Sequence, residues 1–264
     1  MSEIHATAIV HKGAQLGENV SIGPQCYVEE DVRIGDGCVL GPRVSVLRYT
    51  TLGPNCRVHT GAVLGDTPQD LAFDAGTCSF LDIGADCVIR EYVTLHRGTK
   101  AETRTQIGDG CFLMGLSHCA HNVRLGNGVI MANGVLLAGY VAVGDRAFLS
   151  GNVLVHQFCR IGRLAMLSGG SAVSKDVPPF CTVRGVSANR VAALNVVGMR
   201  RAGIDAESRM ALKKAFKILY LSDLNTSQAV EQIRRAFDAG PAREMAEFVA
   251  VAKRGICAYG EGVC

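Results

Sequence analysis

Four histidines of this sequence are placed where they could carry out acid–base chemistry together. His118 and His121 lie in the string SHCAHN, His96 lies in LHRGT, and His156 lies in VHQFC. The unperturbed pKa of imidazole is close to physiological pH, so a histidine can take a proton from a reacting group. The cluster therefore predicts a general base.

Several of the polar residues in and near these strings are separated by one constant interval. Gly139 follows His121 by the same number of residues as Gln157 follows Gly139 and as Tyr140 follows Asn122. In a chain wound in coils of that length, these positions would stack on one edge. Because coils stack at strand spacing, about 5 Å, one small ligand could touch several of them.

The sequence also contains a repeat of six residues, or hexad. The interval that separates His121 from Gly139 equals three hexads, so three hexads would make one coil. An aliphatic residue occupies every sixth position over 4–64 and 83–95, and again over 107–173 with Cys119 and Met131 as variants. A fixed period of this kind is typical of a solenoid. We number the aliphatic residue as position 1 of each hexad.

Positions 2 and 5 of the hexad are also restricted. Position 2 is often Gly, which indicates a backbone turn that a side chain would hinder. The residue at position 5 is small, so each hexad offers one large and one small inward side chain. Short strands separated by tight turns give this pattern, whereas a helix with a period of 3.6 residues does not. The sequence therefore predicts an all-β solenoid.

The 11 cysteines fit the same repeat. Position 5 is occupied by cysteine in six hexads, at Cys26, Cys38, Cys56, Cys87, Cys111 and Cys159. There cysteine acts as a small hydrophobic residue. The chain has no CxxC pair, which argues against a zinc ribbon or a thioredoxin-like site. So many thiols without an export signal favour a reducing cytosol.

Two interruptions and a change of pattern predict the domain organisation. The repeat breaks near 66–82 and near 98–106, and we predict loops at both places. After Val177 the hexads stop and helical signals begin, with caps at Asp205 and at Thr226 or Ser227 and a third helix running from Pro241 toward Arg254. The predicted domains are therefore a β-helical domain at 1–190 and a C-terminal helical domain at 191–264.

Composition limits the class of protein. At 264 residues and 48% hydrophobic, the chain can bury a full core, and its net charge of +3 is too small to indicate nucleic-acid binding. No apolar run is long enough for a membrane span, and the N-terminus lacks the basic start of a signal peptide. We expect a soluble, cytoplasmic protein with no integral membrane segment.

Seven strings outside the plain repeat carry a family resemblance. They occur in a fixed order with characteristic gaps and read GDTPQDL, IREYVTLHRGT, HCAHN, LAGY, VHQFC, DVPPF and GMRRAGI. In these strings the chain resembles the acyl-carrier-protein-dependent UDP-N-acetylglucosamine O-acyltransferases, which begin lipid A synthesis in Gram-negative bacteria. The resemblance covers nearly the whole chain. It implies a left-handed parallel β-helix, in which three hexapeptide repeats make one triangular coil, with a C-terminal helical domain.

The resemblance also implies a reaction. A 3-hydroxyacyl group would pass from acyl-carrier protein to the glucosamine 3-hydroxyl of UDP-N-acetylglucosamine. His121 matches the catalytic base of the family, and the backbone N–H of Gly139 matches its oxyanion donor. Gly169 matches the position that sets acyl length, where a small residue leaves a deeper groove and implies a longer chain. The family is a homotrimer with sites between subunits, and we expect no cofactor and no metal.

Substrate contacts are expected on the shared edge, in the first loop and in the helical tail. The residues concerned are Gln69, Asp70, His96, His118, Asn122, Tyr140, His156, Gln157, Asn195 and Arg201. Asn195 and Arg201 match groups near the nucleotide.

The chain departs from the best-known members of the family at four positions. Asn122 stands where they have Asp, Tyr140 where they have His, Ala72 where they have Lys, and Ala202 where they have Arg. Asparagine can orient an imidazole, but it cannot stabilise an imidazolium by charge. The changes lie around the expected sugar and base rather than in the core.

Other functions remain open on the sequence. The same site could N-acylate a UDP-sugar with a 3-amino group, because an amine is a better nucleophile and needs less help from a charged dyad. Since the hexads begin at Ile4, we do not expect the extra N-terminal domain of the later lipid A N-acyltransferase. A zinc hydratase like the γ-class carbonic anhydrases, an acetyl-CoA-dependent transferase and a non-catalytic scaffold are further alternatives.

Overall fold

The computed structural model of the protein describes residues 2–185 and 190–260. Residues 1, 186–189 and 261–264, which the predicted domain ranges include, lie outside the described residues.

The chain forms short strands followed by a tail made mainly of helices. The strands are β1 (Glu3–Ile4), β2 (Ile9–Val10), β3 (Gln15–Leu16), β4 (Ser21–Ile22), β5 (Tyr27–Val28), β6 (Arg33–Ile34), β7 (Val39–Leu40), β8 (Ser45–Val46), β9 (Thr50–Leu52), β10 (Arg57–Val58), β11 (Val63–Asp66), β12 (Phe80–Ile83), β13 (Val88–Ile89), β14 (Thr94–His96), β15 (Arg104–Ile107), β16 (Phe112–Leu113), β17 (His118–Cys119), β18 (Arg124–Leu125), β19 (Ile130–Met131), β20 (Leu136–Leu137), β21 (Ala142–Val143), β22 (Phe148–Leu149), β23 (Leu154–Val155), β24 (Arg160–Ile161), β25 (Met166–Leu167), β26 (Ala172–Val173), β27 (Cys181–Val183), β28 (Arg190–Leu194) and β29 (Ala258–Tyr259). The helices are α1 (Val196–Arg201), α2 (Ala206–Tyr220), α3 (Thr226–Ala236) and α4 (Gly240–Ala250).

The strands pair into three sheets that form the sides of a triangular prism. Sheet A runs from β1 through every third strand to β25 and then adds β27, β28 and β29. Sheet B runs from β2 to β26 and sheet C from β3 to β24, again by every third strand. Strands of successive coils pair in parallel, as β17 does with β20, where His118 lies beside Leu136. The predicted solenoid with three hexads in each coil is confirmed.

Positions 1 and 5 of the hexads fill the interior of the prism. In the coil around Leu137, both Leu137 at position 1 and Val141 at position 5 are fully buried, whereas Leu136 is 44% exposed. The side chains at these two positions alternate in size, so successive coils can pack at strand spacing without voids.

The reason for glycine at position 2 differs from the backbone turn that the sequence suggested. A Cβ at Gly35 would lie 2.7 Å from the backbone nitrogen of Pro54, and one at Gly144 would lie 2.6 Å from that of Arg163. Close approach of the next coil therefore excludes a side chain there. The left-handed backbone lies two residues later, at position 4, where Asn122 has a φ of 59°.

Cysteines at position 5 satisfy backbone carbonyls of the neighbouring coil. The thiol of Cys38 donates to the carbonyl of Gly53 at 3.1 Å, and that of Cys111 donates to Gly126 at 3.2 Å. Ten cysteines lie in the described part of the chain, and all ten are free thiols. The thiols thus pack as small residues and also supply weak donors.

Both predicted loops leave the prism and touch each other. The first occupies residues 67–79 between β11 and β12, and the second occupies 97–103 between β14 and β15. Ser79 donates its hydroxyl to the carbonyl of Gly98 at 2.6 Å, and Glu102 donates its N–H to the carbonyl of Cys78 at 3.0 Å. The loops therefore support one another beside sheet B.

Helices α2, α3 and α4 pack together after the last coil. Asp205 caps α2 by accepting from the N–H of Ser208 at 2.7 Å, as predicted. The predicted cap of α3 was wrong, because Asn225 caps that helix through a capping box with Gln228. Helix α4 ends at Ala250, before the expected Arg254. None of the helices in the described part of the chain is long and apolar enough to cross a bilayer.

A salt bridge and a hydrogen bond attach the helical tail to the last coils. The guanidinium of Arg160 donates to the carboxylate of Asp176 at 2.7–2.8 Å and to the carbonyl of Phe248 at 2.8 Å, and it lies over the ring of Phe248. Arg163 pairs with Glu244 at 2.7 Å. These contacts fix α4 against sheet C.

Candidate functional site

A groove of about 720 Å³ runs along the outer face of sheet B. Its floor is made by position-6 residues of successive coils, so apolar Leu136, Leu154 and Ala172 follow His118 in one line. His121 and His156 lie along its edge, and Gln69 reaches it from the first loop. The groove can thus hold an apolar chain beside a row of imidazoles.

His121 and Asn122 form a hydrogen-bonded pair at the edge between sheets B and C. The Nδ1 atom of His121 lies 3.0 Å from Oδ1 of Asn122. The backbone N–H of Asn122 donates to the hydroxyl of buried Thr105 at 2.8 Å, so the backbone of the pair is fixed. Asparagine tolerates the left-handed φ of 59° at this turn better than most residues.

Gly139 lies directly above the imidazole of His121, as the spacing of three hexads predicted. A Cβ built at residue 139 would lie 2.6 Å from Nε2 of His121, so only glycine leaves the ring in place. The carbonyl of Gly139 accepts from Phe158 at 3.1 Å. In the described part of the chain its N–H has no hydrogen-bond acceptor.

His118 and His96 are neighbouring imidazoles on adjacent coils. Their rings meet edge to face with centroids 4.8 Å apart, and Nδ1 of His118 lies 2.7 Å from the hydroxyl of Thr94. Burial, with a smaller effect from His96, lowers the pKa of His118 to about 4. Burial also lowers the pKa of His96. Both rings are therefore neutral at neutral pH and act there as hydrogen-bonding groups.

Tyr140 and Phe158 continue the edge above Asn122. Their rings are stacked, with centroids 5.0 Å apart and an interplanar angle of 16°. Tyr140 also meets the ring of His121 edge to face at 5.3 Å. Its phenol oxygen lies 3.1 Å from the hydroxyl of Thr99 in the second loop.

The remaining edge residues are more exposed. His156 lies beside the groove and is exposed, and its Nδ1 donates to the carbonyl of Gln157 at 3.1 Å. Gln157 is exposed next to it. In the first loop, the carboxylate of Asp70 accepts from the N–H of Ala72 at 3.0 Å and so caps its own loop. Asp70 does not line the groove of its own chain.

Three predicted residues lie away from the groove within one chain. Asn195 caps α1, accepting from Gly198 at 2.9 Å and donating to the carbonyl of Leu164 at 2.8 Å. With Arg201 it lines a separate cavity beside sheet A. Gly169 is exposed at the turn between sheets A and B, where an added Cβ would find room, with the carbonyl of Gly151 as its nearest neighbour at 3.4 Å.

Two residues near the site were missed by the sequence reasoning. Arg97 is 6% exposed, and its guanidinium lies 5.3 Å from the ring centroid of Tyr49 and 5.4 Å from that of Phe73 in the first loop. Burial lowers its pKa. Thr99 contacts Asn122 from the second loop. Both follow His96 in HRGT, and nothing in the repeat distinguishes them from other loop residues.

Among residues 2–185 and 190–260, no group of three or more His, Cys, Asp or Glu side chains is arranged to hold a metal ion.

The coils and the groove define the class of the protein. The profile of the family described as "Bacterial transferase hexapeptide (six repeats)" matches residues 13–48 and 31–66. The second profile, "Udp N-acetylglucosamine O-acyltransferase; Domain 2", matches residues 176–257, which contain α1 to α4. The chain is thus a hexapeptide-repeat protein with the C-terminal domain of that acyltransferase family.

Relatives and solved structures establish the family. An acyl-[acyl-carrier-protein]–UDP-N-acetylglucosamine O-acyltransferase from Thermodesulfovibrio yellowstonii is 44% identical over 97% of this chain and 100% of its own length. UDP-N-acetylglucosamine acyltransferases from Campylobacter jejuni and Bacteroides fragilis match with TM-scores of 0.92 and 0.90. They are 36% and 37% identical, covering 98% and 96% of this chain and 100% and 99% of theirs. The chain belongs to the acyl-[acyl-carrier-protein]–UDP-N-acetylglucosamine O-acyltransferase family, and its fold is the left-handed parallel β-helix with C-terminal helices.

Proposed function

We propose that this protein transfers a 3-hydroxyacyl group from acyl-carrier protein to the glucosamine 3-hydroxyl of UDP-N-acetylglucosamine, the first step of lipid A biosynthesis. The observation that carries the proposal is the placement of His121 between Asn122 and Gly139 at the rim of an apolar groove, in a chain of this family.

His121 acts as the general base in this proposal. It removes the proton of the sugar hydroxyl as the oxygen attacks the thioester carbonyl carbon. The carbonyl becomes an oxyanion, which then collapses as the carbon–sulfur bond breaks and the carrier thiolate leaves. The proton held by His121 passes to that sulfur, so the base is regenerated and no cofactor is needed.

The N–H of Gly139 is suited to stabilise the oxyanion. At some other turns the N–H at position 3 is capped by the next coil, as when Asn127 donates to Asp145 at 2.8 Å and Asp109 donates to Asn127 at 2.9 Å. The N–H of Gly139 has no such cap in the described part of the chain. An open donor beside the base is the arrangement that acyl transfer requires.

The groove offers a place for each of the two substrates. Leu136, Leu154 and Ala172 provide an apolar floor for the acyl chain, with Gly169 at the turn that would limit its length. Of the other expected contacts, Gln69, His118 and His156 line the groove and would bond to the sugar and the acyl hydroxyl. His96, Asn122, Tyr140, Gln157 and Asp70 do not line the groove of this chain and would contact the substrates from around it.

A homotrimer in the cytoplasm would complete the site. Asn195 and Arg201 lie in a separate cavity within one chain, so they would serve the groove of a neighbouring subunit, near the nucleotide. Outward side chains of sheet A are apolar over successive coils, including Phe112, Ile130 and Phe148, and a subunit contact would cover them. Acyl-carrier protein is the expected donor partner.

One observation favours a second function, N-acylation of a 3-amino UDP-sugar. The partner of His121 is a neutral amide, so an imidazolium formed during the reaction has no adjacent carboxylate in the pair. An amine nucleophile makes a smaller demand on the base than a hydroxyl does.

A paired acyl-transfer assay tests both functions. The 3-hydroxyacyl-carrier protein is offered with UDP-N-acetylglucosamine or with its 3-amino analogue, to wild type, H121A and the exposed-histidine control H11A. We expect wild type and H11A to transfer the acyl group to the hydroxyl, and we expect H121A to have lost this activity. Transfer to the amine alone would move the enzyme to the N-acylating branch, and transfer that survives H121A would remove His121 as the base.

A further inference from the structure

We propose that Thr99 is a positioning residue that holds the amide of Asn122 in one orientation and thereby fixes which nitrogen of His121 carries a proton. The inference deepens the function proposed for His121 and rests on it.

The first step concerns the two ends of the Asn122 amide. The backbone nitrogen of Thr99 lies 3.1 Å from one terminal atom of this amide, and the hydroxyl oxygen of Thr99 lies 3.0 Å from the same atom. A backbone N–H can only donate, so the atom facing it must be the oxygen, Oδ1. The reversed amide would place its NH₂ group against that N–H, two donors facing each other in a buried site.

The second step concerns His121. Its Nδ1 atom lies 3.0 Å from the same Oδ1 of Asn122. Because an amide oxygen only accepts, Nδ1 must carry the proton, and Nε2 is left with a free lone pair. Nε2 is also the ring nitrogen nearer Gly139, where the reacting groups would lie. The tautomer that Thr99 selects is therefore the one that can act as a base.

The third step explains Tyr140. Its phenol oxygen lies 3.1 Å from the hydroxyl of Thr99, and stacking on Phe158 holds its ring. Since the hydroxyl of Thr99 donates to Asn122, its oxygen accepts from Tyr140. Tyr140, Thr99 and Asn122 then form a directed chain of uncharged groups that ends at His121. A carboxylate at residue 122 could accept through either oxygen and would need no such chain, whereas an amide does.

Enzyme kinetics test the chain in two backgrounds. T99V removes the hydroxyl but keeps the shape and the backbone N–H, and T99S keeps both donors. In the native background we expect T99V to lower kcat about tenfold, the rate equivalent of one hydrogen bond, with little change in KM and with recovery in T99S. In the N122D background, the added T99V substitution should lower kcat by less than about threefold relative to N122D alone.

The outcomes separate positioning from simple support of the loop. If Thr99 only supported the second loop, T99V would cause the same loss in both backgrounds, and that result would overturn the proposal. An unchanged kcat in the native background would overturn it as well.

A measurement without turnover separates this inference from the proposed function. Ring ¹⁵N shifts of histidine-labelled protein report the tautomer, with the His121 signals assigned by their absence in H121A. We expect the Nδ1–H tautomer in wild type and a detectable fraction of the Nε2–H tautomer in T99V, which keeps only one of the two donors that hold Oδ1 of Asn122. An Nε2–H tautomer in wild type would refute the role of Thr99 whether or not the protein transfers acyl groups.

Discussion

The imidazole of His121 lies in the space that a side chain at Gly139 would occupy. Only the missing Cβ allows the ring to stay below the next coil, because that atom would lie 2.6 Å from Nε2 and 3.1 Å from Nδ1. Gly139 thus has two functions in the proposed mechanism, as the donor to the oxyanion and as the residue that leaves room for the base.

The G139A variant should therefore lose activity without losing its fold. The added methyl group displaces the end of a flexible side chain, so the thermal midpoint should change little, while kcat should fall about 100-fold because the base moves. The matched control is G151A, at the same hexad position, where a Cβ would meet nothing closer than the carbonyl of Asn133 at 3.6 Å. Equal kcat in the two variants would contradict this account.

Much of the fold follows from the period of six. Positions 1 and 5 face inward because two-residue strands alternate with turns, so residues such as Leu137 and Val141 could be assigned to the core from spacing alone. Helix α1 and the strands β28 and β29 were not predicted, since they lie outside the repeat and carry no period of six. The left-handed backbone at position 4 was missed because Tyr140 and Phe158 adopt it as well as Asn122.

The site could be predicted only where the repeat extends to it. Stacking at intervals of three hexads correctly placed Gly139 over His121 and Tyr140 next to Asn122 in the following coil. The contacts of Thr99 and Arg97 depend on how the two loops fold back, and loops carry no period. Sequence spacing therefore located the base but could not identify the groups that orient it.

The partly buried imidazole of His118 should make the stability of the protein depend on pH. Burial lowers its pKa to about 4, so the unfolded chain takes up a proton below its ordinary pKa while the folded chain does not. The contribution is fully present above about pH 6.5 and is lost as the pH falls toward 4, by up to about 3 kcal/mol. Urea unfolding at fixed protein concentration measures it.

In H118Q the free energy of unfolding should fall less between pH 7 and pH 5 than in wild type. The H11Q variant, which loses an exposed imidazole, is the control for a general effect of the substitution. Parallel pH curves for wild type and H118Q would show that His118 does not contribute.

Thiol reactivity should distinguish Cys78 from the other cysteines that the structure describes. Cys78 is partly exposed, whereas the other nine are buried. Burial raises the pKa of the Cys159 thiol to about 11, and it also raises the pKa of Cys119. A buried thiol with a raised pKa reacts slowly, because the thiolate is the nucleophile.

Ellman's reagent at pH 8 checks this expectation in C264S, which removes the cysteine outside the described residues. One thiol should react fast in the native protein, and none should do so in the C78S/C264S variant until urea unfolds it. A second fast thiol in native C264S would show that the coils open more readily than the packing implies.

The salt bridge between Arg160 and Asp176 should contribute more to stability than a surface pair does. Asp176 is 1% exposed, and it accepts from both the backbone N–H and the guanidinium of Arg160. Removing it leaves those donors without their acceptor at the junction with the helical tail, so D176A should cost about 3–5 kcal/mol. The exposed pair of Arg48 and Asp31 is the comparison, and D31N, which removes the charge and tolerates the left-handed φ of 57° there, should cost less than about 1 kcal/mol. Urea unfolding measures both variants, and limited proteolysis should cut D176A first between the prism and α2. Similar losses in the two variants would mean that the buried bridge stabilises the fold no more than an exposed pair does.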